Sequence, residues 1–462
     1  MLTSLHIRNF KAWGDTGAIR LAPLTVIFGA NSAGKSSLGQ LLLALKQTVL
    51  SSDRRRALHL GDAGTLIDLG SFAEVVHLHD LGQPLRFELG WRLAAPLTVH
   101  DPVTAAEFVG DELRLAVTLL ADRNEQPVVH ELRYRMLRDG ETMLTVEYAR
   151  AADGGYRLTA APLALRPVAA GEDPALPPPD KFYRVPDQAR ARFRNADFLA
   201  DLAYATEAVL GGLHHLGPLR EPPRRLYAWT GEAPENVGPR GEFAIPALLA
   251  ASEQARSFDT GAESYRFDAY IAYWLQRLEL IHGFAVRPIA KGRREYEVLI
   301  RTHPAGGEVK LTDVGFGVSQ LLPALVQAFY GPPGSTVWLE QPEVHLHPRV
   351  QAELADAFIA AVQARENGSP RHAQLVVESH SEHFLNRIQR RVAEGTLAAE
   401  DVAVYFCRRG EAQAEMEPLR LNEYGEIENW PENFFGDEMA DIAARTLAAV
   451  RRRQQAGKTS QP

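Results

Sequence analysis

The sequence predicts an α/β fold in which a mainly parallel core sheet is interrupted by an antiparallel β meander and a helical segment. A short buried strand at residues 24–28 leads into a glycine-rich loop and then an amphipathic helix. From residue 296 onward strands and helices alternate, as they do in parallel sheets that helices cover on both faces. Between about 85 and 160, extended runs are separated by Asp-Gly turns. The two ends of the chain are therefore expected to form one core around an inserted lobe.

Residues 1–85 are predicted to form the N-terminal part of this core. The run LHIRNF at 5–10 alternates as a strand does, the glycines at 14 and 17 are expected to break it, and LTVIF at 24–28 has the pattern of a buried strand. After the glycine-rich loop, apolar residues recur at helical spacing, at Leu38, Leu41, Leu42, Leu45 and Val49. This stripe predicts a helix that packs on the sheet.

Residues 86–295 are predicted to form the inserted β/helical lobe. Strands such as RLAVTLL and MLTVEYAR are separated by hairpin turns at the Asp-Gly pairs 139–140 and 153–154. A proline-rich link then leads into two helical segments, at about 187–213 and 264–280.

Residues 296–410 are predicted to be the C-terminal part of the core, and residues 411–462 a small C-terminal domain. The expected order is the strand EYEVLIRT, a helix from about 318, the strand TVWLE, a second helix, the strand QLVVES, a third helix and the strand VAVYFC.

The composition bears on where the protein is located and on the partners it can have. The net charge of −8 disfavours a protein that coats nucleic acid, although three basic clusters, at 54–56, 190–194 and 291–294, are candidates for phosphate contact. The single cysteine, Cys407, excludes an internal disulfide, and no apolar stretch approaches the roughly 20 residues of a membrane helix. We expect a cytoplasmic protein with no membrane partner.

The glycine-rich loop carries a complete phosphate-binding motif. Residues 29–36 read GANSAGKS, the G-x-x-x-x-G-K-[ST] pattern between a strand and a helix. Its backbone N–H groups are expected to cradle phosphates, with Lys35 at the β and γ positions and the Ser36 hydroxyl on Mg²⁺. The motif predicts ATP and Mg²⁺ as cofactors. The expected binding residues here are Gly29, Asn31, Ser32, Gly34, Lys35, Ser36 and Ser37.

Acidic residues end two later strands. TVWLE ends at Glu340, which is expected to share the metal with Ser36, and Val376-Val377-Glu378 leads to His380. The segment EQPEVHLHP follows the first strand, and DVGFGVSQ at 313–320 precedes it. Histidines 345, 347, 380 and 383 have spacings that suit a metal cluster, but no cysteine lies nearby, and a metal cluster is not expected.

In this order of motifs the chain resembles the ABC-type ATPases of the SMC, RecF and OLD group, above all the compact prokaryotic "AAA family ATPase" proteins often found with defence genes. IRNFKAW is similar to their opening strand, VGFGVSQ stands at their signature, and EQPEVHLHP stands at their Walker B motif and D-loop. NEYGEIENWPENFF at 422–435 is similar to the small domain of unknown function that closes many such chains.

The resemblance implies an ABC-type P-loop ATPase head in which two heads enclose two ATP molecules. Gly317 then matches the signature glycine, Gly315 stands where a serine usually meets the γ-phosphate, and Ser319 is a candidate substitute. The residue after the metal acid is normally a catalytic glutamate, but here it is Gln341. The expected catalytic residues are Glu343, Gln341 and His380, and which of Glu343 and Gln341 positions the water is left open.

Three functions are compatible with these motifs. The first is a slowly hydrolysing, nucleotide-gated homodimer or higher oligomer that regulates a partner effector, such as a nuclease, in antiviral defence. The second is a RecF-like DNA-repair ATPase with nucleic acid as partner, and the third is a nucleotide-binding scaffold that does not hydrolyse. We expect no nuclease fold in the segment after His380, despite its acids Glu432, Asp437, Glu438 and Asp441.

Two further motifs, LGPLR at 216–220 and GPRGE at 238–242, look like insertion motifs of the same family. Ordinary turn chemistry explains them equally well.

Overall fold

The computed structural model describes residues 1–169, 175–260 and 263–431, together with residue 448. The predicted tail acids, Glu432, Asp437, Glu438 and Asp441, lie outside the described residues. Within the described ranges, no helix is both long and apolar enough to cross a membrane.

The strands of these residues are, in chain order, β1 (Leu2–Phe10), β2 (Trp13–Arg20), β3 (Leu24–Gly29), β4 (Leu85–His100), β5 (Glu107–Ala121), β6 (Pro127–Arg138), β7 (Glu141–Arg150), β8 (Tyr156–Ala161), β9 (Leu213–Leu216), β10 (Tyr227–Ala228), β11 (Ser257–Asp259), β12 (Ser264–Arg266), β13 (Gly283–Pro288), β14 (Glu295–Arg301), β15 (Val309–Lys310), β16 (Thr336–Glu340), β17 (Arg365–Glu366), β18 (Ser369–Pro370), β19 (Gln374–Glu378), β20 (Val402–Arg409) and β21 (Ala414–Leu419). The helices are α1 (Lys35–Leu50), α2 (Phe72–Val75), α3 (Asp187–Arg190), α4 (Leu199–Gly211), α5 (Ala244–Glu253), α6 (Phe267–Arg277), α7 (Phe316–Tyr330), α8 (Pro348–Gln363) and α9 (Glu382–Ala393).

The core sheet has the strand order β21-β20-β3-β19-β16-β9, and all its strands except β21 run parallel. Its inner strands are buried on both faces, as their continuous apolar runs predict. Side chains alternate between two hydrophobic cores. Ile27, Trp338 and Val376 face the core that contains α1, whereas Val26, Leu339 and Val377 face the core that contains α5 to α9.

The antiparallel meander is confirmed as part of a second sheet, ordered β2-β1-β4-β5-β6-β7-β8. The turn at 139–140 has φ values of 52° and 82°, the left-handed conformation that a two-residue hairpin requires. The break predicted at glycines 14 and 17 is wrong, because both lie inside β2. The chain reverses instead at residues 11 and 12, where Lys11 has a φ of 48°.

The predicted fold class, an α/β head with a parallel core and a β meander, is confirmed. Several of the described strands lie in sheets other than the expected ones. β1 and β2, from the predicted N-terminal part of the core, belong to the sheet that contains the meander. β9, from the predicted inserted lobe, joins the core sheet, whereas β14, from the predicted second half of the head, pairs in a small antiparallel sheet with β10, β13 and β15. The division of the chain at 85, 295 and 410 stays a prediction.

Candidate nucleotide site

The phosphate-binding loop is wound tightly between β3 and α1. Gly29 has a φ of 144°, and a Cβ there would lie 2.1 Å from the carbonyl oxygen of Cys407 on β20, so only glycine fits. Ser32 and Gly34 also adopt positive φ, and Gly34 is the N-cap of α1. The loop thus turns directly into a helix N-terminus, the arrangement that binds phosphate in such loops.

Lys35 lies inside this loop. Its Nζ donates to the carbonyl oxygens of Gly29 and Ala30, each at 2.8 Å, and the side chain is buried. Burial lowers the pKa of Lys35, and the carboxylates of Glu378 and Glu343 oppose that change. The ammonium group is therefore held at the mouth of the loop, among carboxylates.

Ser36 contacts a buried carboxylate. Its Oγ donates to Glu378 Oε2 at 2.7 Å, and Trp338 Nε1 donates to Glu378 Oε1, also at 2.7 Å. The sequence predicts Glu340 in this position. Because β19 lies between β3 and β16, the acid that ends β19 is the closer one, and Glu340 is its in-register neighbour on β16.

Glu340 is held by the edge strand β9. His215 Nε2 lies 2.7 Å from Glu340 Oε1, and both side chains are about 15% exposed. Arg220 Nη2 donates to the Glu340 carbonyl oxygen at 3.2 Å. His215, Arg220 and Trp338 were missed as site residues, because their places depend on strand order across the sheet.

The pKa of Glu378 is raised well above that of an ordinary glutamate. Burial raises its pKa to about 7, with the neighbouring Glu340 carboxylate acting in the same direction, while the bonds from Ser36 and Trp338 oppose the change. Two adjacent carboxylates that share one buried region are the usual setting for a raised pKa.

Replacing Glu378 with glutamine is expected to stabilise the nucleotide-free protein at pH 8. The folded pKa lies above the ordinary value of 4.5, so the folded carboxyl contributes stability below that value and loses it as pH rises through about 7. Glutamine cannot ionise, and its amide can face the Ser36 oxygen while its carbonyl accepts from Trp338. Thermal melting in a metal chelator should show a gain for Glu378→Gln at pH 8 that shrinks towards pH 5. An equal shift at both values would contradict the raised pKa.

The three predicted catalytic residues surround the end of β19. Glu343 is 5% exposed, and its Oε1 accepts a 2.7 Å hydrogen bond from the His380 backbone N–H. Burial raises the Glu343 pKa and lowers that of His380. Gln341 has a φ of 46° and donates its N–H to the Glu378 carbonyl oxygen. The structure therefore brings Glu343, His380 and the backbone of Gln341 together.

The predicted signature residues lie at the start of α7, where Gly315 is the N-cap. Gly317 has room for a methyl group, since an added Cβ would lie 3.6 Å from Leu346 Cδ2. The Ser319 hydroxyl is buried and donates to the Phe316 carbonyl oxygen, so it does not present itself to a ligand. Phe316 itself is 69% exposed.

Other predicted loop residues differ in orientation. Asn31 and Ser32 are exposed at the loop. Ser37 is buried, donates its hydroxyl to the Gly34 carbonyl oxygen and accepts from Trp13 Nε1 at 2.9 Å. Ser37 thus stabilises the loop from the protein interior and does not face a ligand.

The residues present fit a magnesium nucleotide. A hydroxyl at Ser36 and carboxylates at Glu378 and Glu340 are the hard oxygen ligands that Mg²⁺ takes beside phosphates. The glycine-lined loop and Lys35 supply donors for the phosphates themselves.

A family model matches the later part of the site but not the phosphate-binding loop at 29–36. Residues 239–386 match the family described as "AAA domain, putative AbiEii toxin, Type IV TA system". This stretch contains the segment 315–319, Glu340 and His380. Over this stretch the chain is similar to an AAA-type ATPase domain, in agreement with the resemblance to ABC/SMC-like ATPases. Residues 397–444 match the family described as "Protein of unknown function (DUF3696)", which confirms the predicted C-terminal similarity.

Solved structures similar to this chain include three SMC heads. The "SMC head domain from Thermotoga maritima" is 12% identical with a TM-score of 0.40, covering 91% of this chain and 99% of that chain. The "SmcHead bound to the C-winged helix domain of ScpA" is 11% identical with a TM-score of 0.40, covering 91% and 98%. The Smc head "with an extended coiled coil bound to the C-terminal domain of ScpA derived from Pyrococcus furiosus" is 12% identical with a TM-score of 0.37, covering 97% and 99%. Comparison with curated protein sequences gives no match.

Proposed function

We propose that this chain binds ATP with Mg²⁺, hydrolyses it slowly, and closes as a nucleotide-gated head dimer that regulates a partner effector in prokaryotic defence. The observation that carries the nucleotide chemistry is the Ser36 hydroxyl, which contacts a buried carboxylate at the mouth of the glycine loop. The family description, which names a toxin of a Type IV TA system, favours a role in defence or toxin control.

ATP binding is assigned to the loop and its neighbours. The N–H groups at the start of α1 and the Lys35 ammonium bind the phosphates. Ser36, Glu340 and Glu378 would hold Mg²⁺, which when bound offsets the negative charge of the β and γ phosphates. Trp338 and His215 orient the two carboxylates through 2.7 Å contacts.

Hydrolysis requires a group that takes a proton from water. The water oxygen bonds to the γ-phosphorus, the bond from that phosphorus to the bridging oxygen breaks, and ADP leaves with the electron pair. Glu343 is the proposed acceptor of the water proton, because its Oε2 has no hydrogen-bond partner among the described residues. Its raised pKa makes it a stronger base than an exposed glutamate.

The position of the signature supports dimerisation. Gly315 and Gly317 begin α7, a helix N-terminus that can receive a phosphate, and the adjacent Phe316 ring is exposed. In the arrangement that the resemblance implies, this terminus closes over the nucleotide of a second copy. Each site is then complete only in the dimer.

ATP should convert the Glu343→Gln protein from monomer to dimer, because a slow variant keeps its nucleotide. Replacing Gly317 with aspartate in that background should abolish the dimer, since a carboxylate would meet the γ-phosphate. Light scattering after gel filtration, with ATP and Mg²⁺, measures the mass. Gly317→Ala, whose methyl group fits, is the matched control. A dimer that forms equally without ATP, or that survives Gly317→Asp, would contradict nucleotide gating.

A partner effector is the remaining part of the proposal. Co-purification with the products of neighbouring genes should be stronger for Glu343→Gln in ATP than for Lys35→Ala. Steeply salt-dependent binding of duplex DNA on addition of ATP would instead support the RecF-like alternative.

A further inference from the structure

The two short motifs without an assigned role pair with each other. Gly217 N–H donates to the Pro239 carbonyl oxygen and Glu221 N–H donates to the Arg240 carbonyl oxygen, both at 2.8 Å. Gly241, at a φ of 79°, packs so closely on α7 that a Cβ would lie 2.5 Å from Pro323. This paired segment follows β9 and fixes the chain beside the end of β16, where Glu340 lies.

Arg220, the last residue of the motif LGPLR, has a buried side chain. Its side chain is only 7% exposed, although Leu219 beside it is 76% exposed. Nη2 donates to the Glu340 carbonyl oxygen, whereas Nε and Nη1 have no hydrogen-bond partner among the described residues. Burial lowers the pKa of Arg220 to about 10, and the charges of Glu340 and Glu343 oppose this, so the guanidinium is charged at neutral pH.

Glu343, whose charge raises the pKa of Arg220, also has a buried atom, Oε2, without a hydrogen-bond partner in the part of the chain that the structure describes. His380, whose backbone N–H donates to Glu343 Oε1, has a buried Nε2 that is likewise without one. Buried polar atoms are nearly always hydrogen-bonded, so unsatisfied ones on neighbouring residues indicate a polar ligand. Arg220 offers two donors, Glu343 offers an acceptor, and Lys35 is close enough to both Glu343 and His380 for its charge to affect their pKa values. The Arg220 donors suit a phosphate oxygen, and the Glu343 acceptor suits a water molecule beside it.

We propose that Arg220 contacts the terminal phosphate of ATP from within the same chain and stabilises the charge on the transferring phosphoryl group. This inference rests on the proposed function and adds a residue to it. Arginine suits the task, because its planar guanidinium keeps one N–H on the Glu340 backbone while two others face the phosphate. A purely structural role, in which Arg220 only offsets Glu340 and Glu343, would make no distinction between ATP and ADP.

Binding of three ligands separates these roles. Titration calorimetry with Mg²⁺ would compare ADP, a non-hydrolysable ATP analogue, and ADP with aluminium fluoride, which mimics the transferring phosphoryl group. Arg220→Lys and Arg220→Gln are expected to bind ADP as the parent does, but to bind the other two at least about tenfold more weakly. Steady-state turnover should fall by at least about tenfold. Lysine should restore less than half of the loss, since it lacks the fork.

Arg371→Lys is the matched control. Arg371 is 1% exposed and its pKa is also lowered to about 10, but it precedes β19, at the opposite end of that strand from Glu378. This variant should melt at a lower temperature and keep the parental ratio of ATP-analogue to ADP affinity. Equal losses for all three ligands in the Arg220 variants, or no losses, would overturn the role of Arg220 while leaving the proposed function in place. A parent that binds no ATP would overturn both.

Discussion

Replacing Lys35 with alanine is expected to remove most ATP binding. The ammonium lies at the loop mouth and donates to two loop carbonyls, so an incoming phosphate has only to exchange partners with it. A hydrogen bond to a charged group contributes about 1.5–3 kcal/mol, which corresponds to a loss of roughly tenfold to more than a hundredfold in affinity. Titration calorimetry with ATP and Mg²⁺ measures this directly.

Lys46→Ala is the matched control for Lys35→Ala. Lys46 lies in the same helix, is 3% exposed, and donates to the carbonyl oxygens of Gly211 and Leu213. Its loss should lower the melting temperature because buried carbonyls lose their donor, but it should leave ATP affinity close to that of the parent. Equal ATP binding by Lys35→Ala and the parent would refute the assignment of the loop.

The local parts of this site could be predicted from the sequence because their signals are contiguous. The buried strand β3, the loop motif and the leucine stripe of α1 lie within residues 24–50, and each has its own pattern. The Asp-Gly turn at 139–140 is equally local. The reversal at residues 11 and 12 was missed because Lys11, which is not a turn-forming residue, takes the positive φ there.

The partners across the sheet could not be predicted in the same way. Ser36 and Glu378 are 342 positions apart, and their contact depends on β19 lying between β3 and β16. β9 has four residues, two of them histidines, so it does not read as a buried strand. Its place beside β16 is nevertheless what brings His215 to Glu340. The motifs identify both acids, Glu340 and Glu378, but only the order of the strands in the sheet determines which of them contacts Ser36.

Glu343→Gln is expected to lower steady-state phosphate release by at least about tenfold, because loss of a general base typically costs 10² to 10⁴ in rate. The change is nearly isosteric, so Oε1 can still accept from the His380 N–H while the proton-accepting oxygen becomes an amide. Affinity for ATP should stay near the parental value. Asp356→Asn is the control. This residue on α8 is also largely buried and pairs with Arg387 and Arg391, so its loss should affect melting and leave turnover unchanged.

Gln341→Glu tests the proton transfer from water by adding a carboxylate instead of removing one. Gln341 directly follows Glu340, and its backbone N–H bonds to the Glu378 carbonyl oxygen at the end of β19. A carboxylate at position 341 would therefore lie beside the phosphate end of the site. If the amide at Gln341 limits the reaction, this variant should raise turnover, and it should rescue Glu343→Gln in the double variant. If Glu343 is the sole base, Gln341→Glu should leave the rate low in the double variant. Unchanged rates in both single variants would exclude both residues from the proton transfer. Glu378 and His380 would then be the remaining groups that can position the water.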